Sequence, residues 1–416
     1  MQLRLNSAWL ILVFAAGFLS LLYLWFTLFP GRVLPEAGYY FSAEQINQGR
    51  QYNMILRLAY ICGFLGQVSF LLWLVFSGRL TDLSRWVQRL TGDNYWGSLL
   101  LFFLIIWLSL QLLNIPFTLY SGYFWQHQWG FSTQTLGAWW VDYCKSAGLD
   151  LFLSTAGVVL LFGAINRWPG TWWLAGAAIV SLWLVIQTFF WPVVIAPLFN
   201  RFTPSNDPTV LSMVHELSEK ARLPVGQVLI MDASRRTTKA NAYFTGLGQT
   251  KRIVLYDTLL ADYPPDQVKA VVAHEMAHWS RGHIIRGLAL GVLGNIFFWG
   301  LLFVLLRTSV TQFTRYPPHV LALILLFFLL ASFAGNPLQN YFSRGMEVEA
   351  DHVAVSLTGD VPAALRLQVD LAARNLSDVA PPAFIHWFSY SHPSALNRIK
   401  KIKQAGEDSL FSEPSR

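Results

Sequence analysis

The chain has 416 residues, of which 54% are hydrophobic and only 13% charged, and its mean hydropathy is +0.41. A soluble domain usually has about a quarter of its residues charged, so this composition excludes soluble, disordered and coiled-coil proteins and indicates an integral membrane protein. The net charge of +7 comes mainly from short connections between apolar runs, which suits lipid headgroups and argues against nucleic-acid binding.

Seven apolar runs are each about long enough to cross a membrane, which takes about 17–25 residues of helix. Pro116 and Pro192 are expected to kink their helices or mark their ends. Seven spans place the two long polar segments, 199–283 and 336–416, on the same side of the membrane, while the basic residues of the loops leave the orientation open. We predict a mainly α membrane protein with spans near 8–29, 54–77, 97–120, 149–166, 172–198, 284–306 and 319–335.

The first polar segment is predicted to form a small α+β unit. Hydrophobic periodicity indicates a helix over 207–222, and β-type runs indicate strands at 228–233, 241–245 and 252–256, the last two joined by a hairpin loop at 246–250. A further helix is expected to begin at Pro265. The expected organisation is helices 1–5 with short loops (1–198), a catalytic segment (199–283), helices 6–7 (284–335) and a C-terminal catalytic segment (336–416).

The predicted helix after Pro265 contains an HExxH motif that runs from His274 to His278. Positions i and i+4 lie on one face of a helix, so the two imidazoles can bind one Zn²⁺. Glu275 lies at the flank of this pair, where its carboxylate can act as general base without binding the metal. The chain has only two cysteines, so any metal site must use histidine and carboxylate ligands.

A catalytic zinc usually has three protein ligands, and the segment from Ser343 to Asp351 is the best source of the third. This segment can continue the seventh span as a helix, on which Glu347 and Asp351 share a face. One of the two carboxylates can bind zinc while the other accepts a hydrogen bond from a ligand imidazole. Both ligand segments adjoin spans, so we expect the zinc at, or just above, the membrane boundary.

His283 is another histidine close to the motif, but we predict that it does not bind the metal. Its offset is one residue short of the HExxHxxGxxH arrangement. The sequence also indicates that His283 continues the helix of His274 and His278, with no glycine turn to fold it back towards them.

Taken together, these motifs identify a family resemblance that extends over essentially the whole chain. The sequence resembles the type I CAAX prenyl endopeptidases, which are multi-spanning membrane zinc metalloproteases of the gluzincin type. The matching motifs are HEMAHWSRGH at 274–283, Ser343-Arg344 through Glu347 to Ala350-Asp351, Ser391-His392-Pro393-Ser394 with Arg398, and Asn241-Ala242-Tyr243-Phe244.

The resemblance implies specific roles for the residues of the predicted metal site. His274, His278 and Glu347 would be the zinc ligands, with one Zn²⁺ per chain. Glu275 would be the general base, and Asp351 would orient a ligand histidine.

Further residues would act on the substrate if the resemblance holds. His392 would lie near the scissile carbonyl and help to stabilise the oxyanion, and Arg398 would support the site or hold the substrate. Asn241, Ala242 and Tyr243 would belong to an edge strand that pairs with an extended substrate.

The resemblance also implies an architecture and an activity. Seven helices would enclose a water-filled chamber with the zinc at its membrane-proximal end and the catalytic side facing the cytoplasm. The partners would be membrane lipids and a protein or peptide substrate, including lipidated ones, from which the C-terminal tripeptide is removed.

Two other interpretations remain open at this point. An HtpX-like quality-control protease shares HExxH and a downstream glutamate, but it typically has fewer spans and a shorter chain. A transporter or scaffold with a structural zinc would need no glutamate beside two helix-facing histidines, and such a site usually closes its fourth coordination position.

Overall fold

The computed structural model of the protein describes residues 7–245, 251–309 and 316–411. Within these residues, seven helices are long and apolar enough to cross a membrane, as predicted, and the chain is an integral multi-pass membrane protein. The predicted hairpin loop at 246–250 lies outside the described residues.

In the described part of the first half of the chain, the regular elements are helices, joined by short turns and loops. Two spans begin earlier than hydropathy indicated, because polar caps extend them: Ser42 and Gln45 form a capping box, and Thr135 accepts a hydrogen bond from the backbone amide of Ala138. The helices are α1 (Ser7–Leu28), α2 (Ala43–Phe76), α3 (Arg79–Leu90), α4 (Tyr95–Leu119), α5 (Trp125–Gln128), α6 (Leu136–Arg167) and α7 (Trp172–Phe190).

Pro116 and Pro192 do not simply mark helix ends. Pro116 lies inside α4, and a π-helical turn at Tyr120–Phe124 follows it and leads directly into α5. Pro192 lies in a second π-helical turn, Trp191–Ile195, which follows α7. Each proline therefore lies in, or shortly before, a π-helical turn, and the helical path continues beyond that turn.

The second half of the chain combines helices with a small sheet. Its longest helix, α12, has 39 residues and runs through Pro337 without a break, so the seventh span continues as a helix into the C-terminal polar segment, as predicted. The helices are α8 (Pro208–Ala221), α9 (Asp257–Asp262), α10 (Pro265–Ser280), α11 (His283–Ser309), α12 (Val320–Thr358), α13 (Val361–Arg374), α14 (Ala383–Ser389) and α15 (Ala395–Phe411).

The sheet has four strands in the order β1-β2-β4-β3, with bounds Phe202–Pro204, Gln227–Met231, Ala242–Thr245 and Arg252–Tyr256 for β1 to β4. The β2–β4 pair is parallel, and the other two pairs are antiparallel. The three predicted strands are present, and β3 is an edge strand whose outer side pairs with no other strand of the described chain.

Buried contacts join the polar segments to the membrane helices. Arg57 of α2 forms an ion pair with Asp378 at 2.8 Å, and both side chains are almost fully buried. Arg236 reaches Asp142 of α6 at 2.9 Å.

A cavity of about 830 Å³ opens between α6 and α7, lined by residues that include Leu153. The larger chamber implied by the resemblance stays a prediction.

Candidate metal centre and active site

The HExxH motif lies on α10, and the local sequence explains how this helix forms. Pro265 opens the helix, and Asp266 places a carboxylate near the free amides of the first turn. One face of α10 is buried against the sheet, α8 and α12. This buried face consists of Val268, Ala270, Val272, Ala273, Met276 and Ala277.

Three side chains from α10 and α12 converge on one point. The Nε2 atoms of His274 and His278 lie 3.1 Å apart. Glu347 places Oε2 at 3.3 Å from Nε2 of His274 and Oε1 at 3.4 Å from Nε2 of His278. Among the described residues, these three form the group of metal-type ligands close enough to share an ion.

This cluster fits a divalent metal ion. Ligand atoms roughly 2.0–2.2 Å from an ion in tetrahedral geometry lie about 3.4 Å from one another, close to the separations found here. Glu347 is buried, yet its Oε2 makes no hydrogen bond of good geometry. Two imidazole nitrogens and a buried carboxylate oxygen that face each other in this way are the donors that a divalent cation needs.

His274 is held from its other side by Asp351 and Arg398. Nδ1 of His274 lies 2.9 Å from Oδ1 of Asp351, and Arg398 donates to both oxygens of Asp351 at 2.8 and 2.5 Å. Burial alone would lower the pKa of His274, but the hydrogen bond with Asp351 and the nearby Glu347 carboxylate outweigh it and raise the pKa to about 9.

The pKa of Glu275 is raised and that of His278 is lowered, and both changes favour the uncharged form of the side chain. Burial raises the pKa of the Glu275 carboxyl to about 7, although the nearby charge of His274 opposes the shift. Burial, followed by the charge of His274, lowers the pKa of His278 to about 4. A carboxyl group with a pKa near 7 can both accept and return a proton at neutral pH.

His392 reaches the same cluster from the loop between α14 and α15. Its Nε2 lies 3.3 Å from Oε1 of Glu347. The loop is fixed by Arg344 of α12, which donates to the backbone carbonyls of His386, Trp387 and Tyr390 at 3.2, 3.4 and 2.7 Å. The helix that supplies Glu347 therefore also holds the segment that carries His392.

The edge strand β3 lies beside Glu275. The amide of Tyr256 donates to the carbonyl of Asn241, so the alternation of an antiparallel pair directs the backbone groups of Tyr243 towards β4. The backbone groups of Ala242 and Phe244 then face the free edge of the sheet. The Asn241 side chain accepts from the amide of Ala242 at 2.8 Å.

Phe244 was missed as a site residue in the sequence, although the two-residue period of a strand places it on the same edge as Ala242.

The predicted continuation of the helix as far as His283 was wrong. The helix does not continue to His283, because α10 ends at Ser280 and Gly282 has a positive φ of 66° before α11 begins. This left-handed turn, which favours glycine, folds His283 back against His278, with Nδ1 to Nδ1 at 3.0 Å. His283 nevertheless lies outside the three-ligand cluster, as predicted. Gly282 was the signal in the sequence for this turn.

Comparisons with known proteins agree with this geometry. Residues 204–405 match the sequence model of peptidase family M48, and residues 31–201 match that of the CAAX prenyl protease N-terminal region with five membrane helices. A CAAX prenyl protease 1 homolog of Arabidopsis thaliana is 32% identical over 72% of this chain and 71% of its own length. The chain belongs to the CAAX prenyl protease 1 group of the M48 peptidases.

Other relatives extend the likeness to the full chain. The metalloprotease YhfN of Bacillus subtilis is 28% identical over 94% of this chain and 96% of its own length. The crystal structure of Ste24p from S. mikatae superposes with a TM-score of 0.83, covering 96% of this chain and 100% of that one at 22% identity, which shows that the fold is shared. This M48 peptidase is therefore a membrane metalloprotease of the CAAX protease type, and the HtpX-like alternative is not favoured.

Proposed function

We propose that this M48 peptidase is a zinc endopeptidase that removes the C-terminal tripeptide of prenylated, CAAX-type proteins. The observation that supports the proposal most directly is the cluster of His274, His278 and Glu347 with the Glu275 carboxyl at its flank. Two imidazoles and one carboxylate with tetrahedral spacing are a donor set that suits zinc and leaves an open position for a reacting group.

Zinc, when bound, would supply Lewis acidity that activates water and polarises the scissile carbonyl. The residues of the chain would do the rest of the chemistry. Glu275 would take the proton from the attacking water and then deliver it to the leaving amine. Asp351, fixed by Arg398, would hold the ring of His274 in the orientation that leaves Nε2 free.

His392 would help to stabilise the oxyanion that forms on the substrate. Its Nε2 lies beside the ligand cluster, within 3.3 Å of Glu347, on a loop that Arg344 fixes to α12. A donor placed in advance near developing negative charge is worth about 10²–10³ in kcat in comparable sites.

The substrate would bind as an additional strand along β3. Ala242 and Phe244 direct backbone carbonyls at the free edge of the sheet, and Asn241, whose side chain accepts from the Ala242 amide, lies at its start. Pairing of main-chain groups would align an extended peptide past Glu275, while its side chains select the sequence.

Metal and substrate can be tested together on purified protein. Wild type is expected to contain one zinc per chain and to cleave a farnesylated CAAX peptide, with activity lost to a chelator and restored by Zn²⁺. Glu275→Gln should keep the zinc but lose turnover, whereas Glu347→Ala should lose both. Near wild-type activity of metal-loaded Glu275→Gln would contradict the mechanism, and exclusive cleavage of unprenylated peptides would contradict the substrate class.

We also propose that the catalytic side faces the cytoplasm, which family resemblance supports. Single cysteines can be placed at two exposed positions on opposite sides of the predicted topology, Ser212 on α8 and Asp93 before α4, after Cys62 and Cys144 are replaced by serine. A membrane-impermeant thiol reagent applied to intact cells should label only Asp93→Cys. Labelling of Ser212→Cys alone would reverse the orientation.

A further inference from the structure

His283 lies in the site without belonging to the ligand cluster. It is 4% exposed and its Nδ1 lies 3.0 Å from Nδ1 of His278. On the opposite side of the ring, its Nε2 lies 3.1 Å from Oε2 of Glu349 on α12. Both ring nitrogens of His283 are therefore engaged away from the point where the Nε2 atoms of His274 and His278 meet.

When His278 binds a metal, only one placement of the ring protons suits the contacts from His278 through His283 to Glu349. The Nε2 of His278 must then offer a lone pair, so its proton lies on Nδ1. Nδ1 of His278 therefore donates to Nδ1 of His283, and the remaining proton of His283 lies on Nε2. That proton is directed at Glu349, which as a carboxylate can only accept.

Glu349 is itself held by two cations. Arg281, in the turn between α10 and α11, lies 3.3 Å from Oε1 of Glu349, and Arg286 of α11 lies 3.1 Å from Oε2. These contacts fix the position of Glu349, and they join the ends of α10 and α11 to α12. The same helix that contacts His274 through Asp351 thus reaches His278 through His283.

We propose that His283 and Glu349 are positioning residues that hold the proton of His278 on Nδ1, so that its Nε2 is available to the metal. The proposal rests on the proposed metalloprotease function and assigns no ligand role to either residue. It gives the second histidine of HExxH a support of the same kind as the one that Asp351 gives to the first.

The test measures zinc affinity of the metal-free, full-length protein by competition with a chelator. His283→Ala and Glu349→Ala should each weaken zinc binding by about 10–100-fold, the usual effect of removing such a support. His283→Asn should recover part of the affinity, because its side-chain oxygen can still accept from His278. The thermal unfolding of the metal-free variants is recorded in parallel.

An exposed histidine–glutamate pair on α8 provides the matched control. His215 and Glu219 lie 3.3 Å apart, far along the chain from the cluster. His215→Ala and Glu219→Ala should bind zinc as wild type does.

Three outcomes would overturn the inference. Wild-type affinity in His283→Ala would do so, as would no recovery in His283→Asn, or weaker binding that only follows a loss of stability in the metal-free protein. A wild-type chain that binds no zinc would instead remove the proposed function together with this inference, so the two failures are distinguishable.

Discussion

Asp351 accepts a hydrogen bond from Nδ1 of His274 at 2.9 Å, while Glu347, one turn earlier on the same helix, lies 3.3 Å from Nε2 of the same ring. A single helix, α12, therefore contacts both edges of one imidazole. Because a helix fixes the spacing of positions i and i+4, the orientation of His274 is tied to the position of Glu347. Arg398 completes the arrangement from α15 by donating to both oxygens of Asp351.

This relationship predicts the effect of Asp351→Asn. The new amide can donate to Nδ1 of His274, which would move the ring proton to Nε2 and block the metal-binding nitrogen. We expect zinc affinity to fall by about 10–100-fold, with a matching loss of activity at limiting zinc. Competition titration against a chelator measures the effect. Asp266→Asn, which breaks an exposed ion pair with Arg366, is the control and should leave zinc affinity unchanged.

A second prediction concerns Arg344 and the loop of His392. Arg344→Lys replaces the guanidinium, whose Nη1 donates to three backbone carbonyls, with a shorter side chain, so the loop should shift and carry His392 away from the cluster. His392→Ala should lower kcat by about 10²–10³, and Arg344→Lys by part of that amount. Steady-state kinetics of the double variant decide the point. If Arg344 acts through His392, Arg344→Lys should add almost nothing to His392→Ala; independent, multiplicative effects would contradict the prediction.

The parts of the fold that could be predicted from sequence depend on local patterns. Spacing of four residues on a helix brings His274 near His278, and the apolar run before Glu347 indicates that α12 can continue from the membrane to the site. The strand Arg252–Tyr256 was predicted with its bounds, because a β-type run lies between turn residues. Each of these features is decided by residues that are neighbours in the chain.

Contacts between distant residues could not be predicted in this way. Arg57 and Asp378 are 321 positions apart, and in the sequence Arg57 alone indicates only a charge near the end of an apolar run and Asp378 only a charge in a polar connection. His283, by contrast, was placed on the wrong helix for a local reason, because Gly282, which follows the end of α10 with a positive φ of 66°, was taken as part of that helix. The lengths of α2 and α6 depend on polar turns beyond the membrane, which hydropathy does not measure.

The buried pair of Arg57 and Asp378 leads to a prediction about stability. Arg57 also donates to the hydroxyl of Tyr390 at 2.8 Å, two residues before His392. Asp378→Ala leaves a buried, unpaired guanidinium and should cost about 3–5 kcal/mol, whereas the double variant Arg57→Met with Asp378→Leu should recover most of the loss. Denaturant unfolding in detergent measures both.

The exposed pair of Asp82 and Arg85 is the control for this prediction. Asp82→Ala should change the free energy of unfolding by less than about 1 kcal/mol, because solvent screens exposed ion pairs. An equal loss in Asp82→Ala and Asp378→Ala would show that burial of the pair does not matter.

Lys239 leads to a prediction about pH. Its ammonium group contacts the Tyr52 hydroxyl at 2.8 Å and lies 4.3 Å from the centre of the Phe131 ring. Burial lowers the pKa of Lys239 from 10.5 to about 8, because the charged form is desolvated. Between these two pH values the unfolded chain binds a proton that the folded chain has released, so this residue makes stability rise with pH across that window.

Lys239→Met keeps the length of the side chain and removes this titration. We therefore expect the difference in apparent melting temperature between Lys239→Met and wild type to favour the variant below pH 8 and to shrink as the pH rises towards 10.5. Melting curves recorded in detergent at intervals of pH measure this difference. Exposed Lys401→Met, which lies on α15, should show a difference that does not vary with pH. A constant difference for Lys239→Met as well would mean that the folded protein keeps this lysine charged throughout the window.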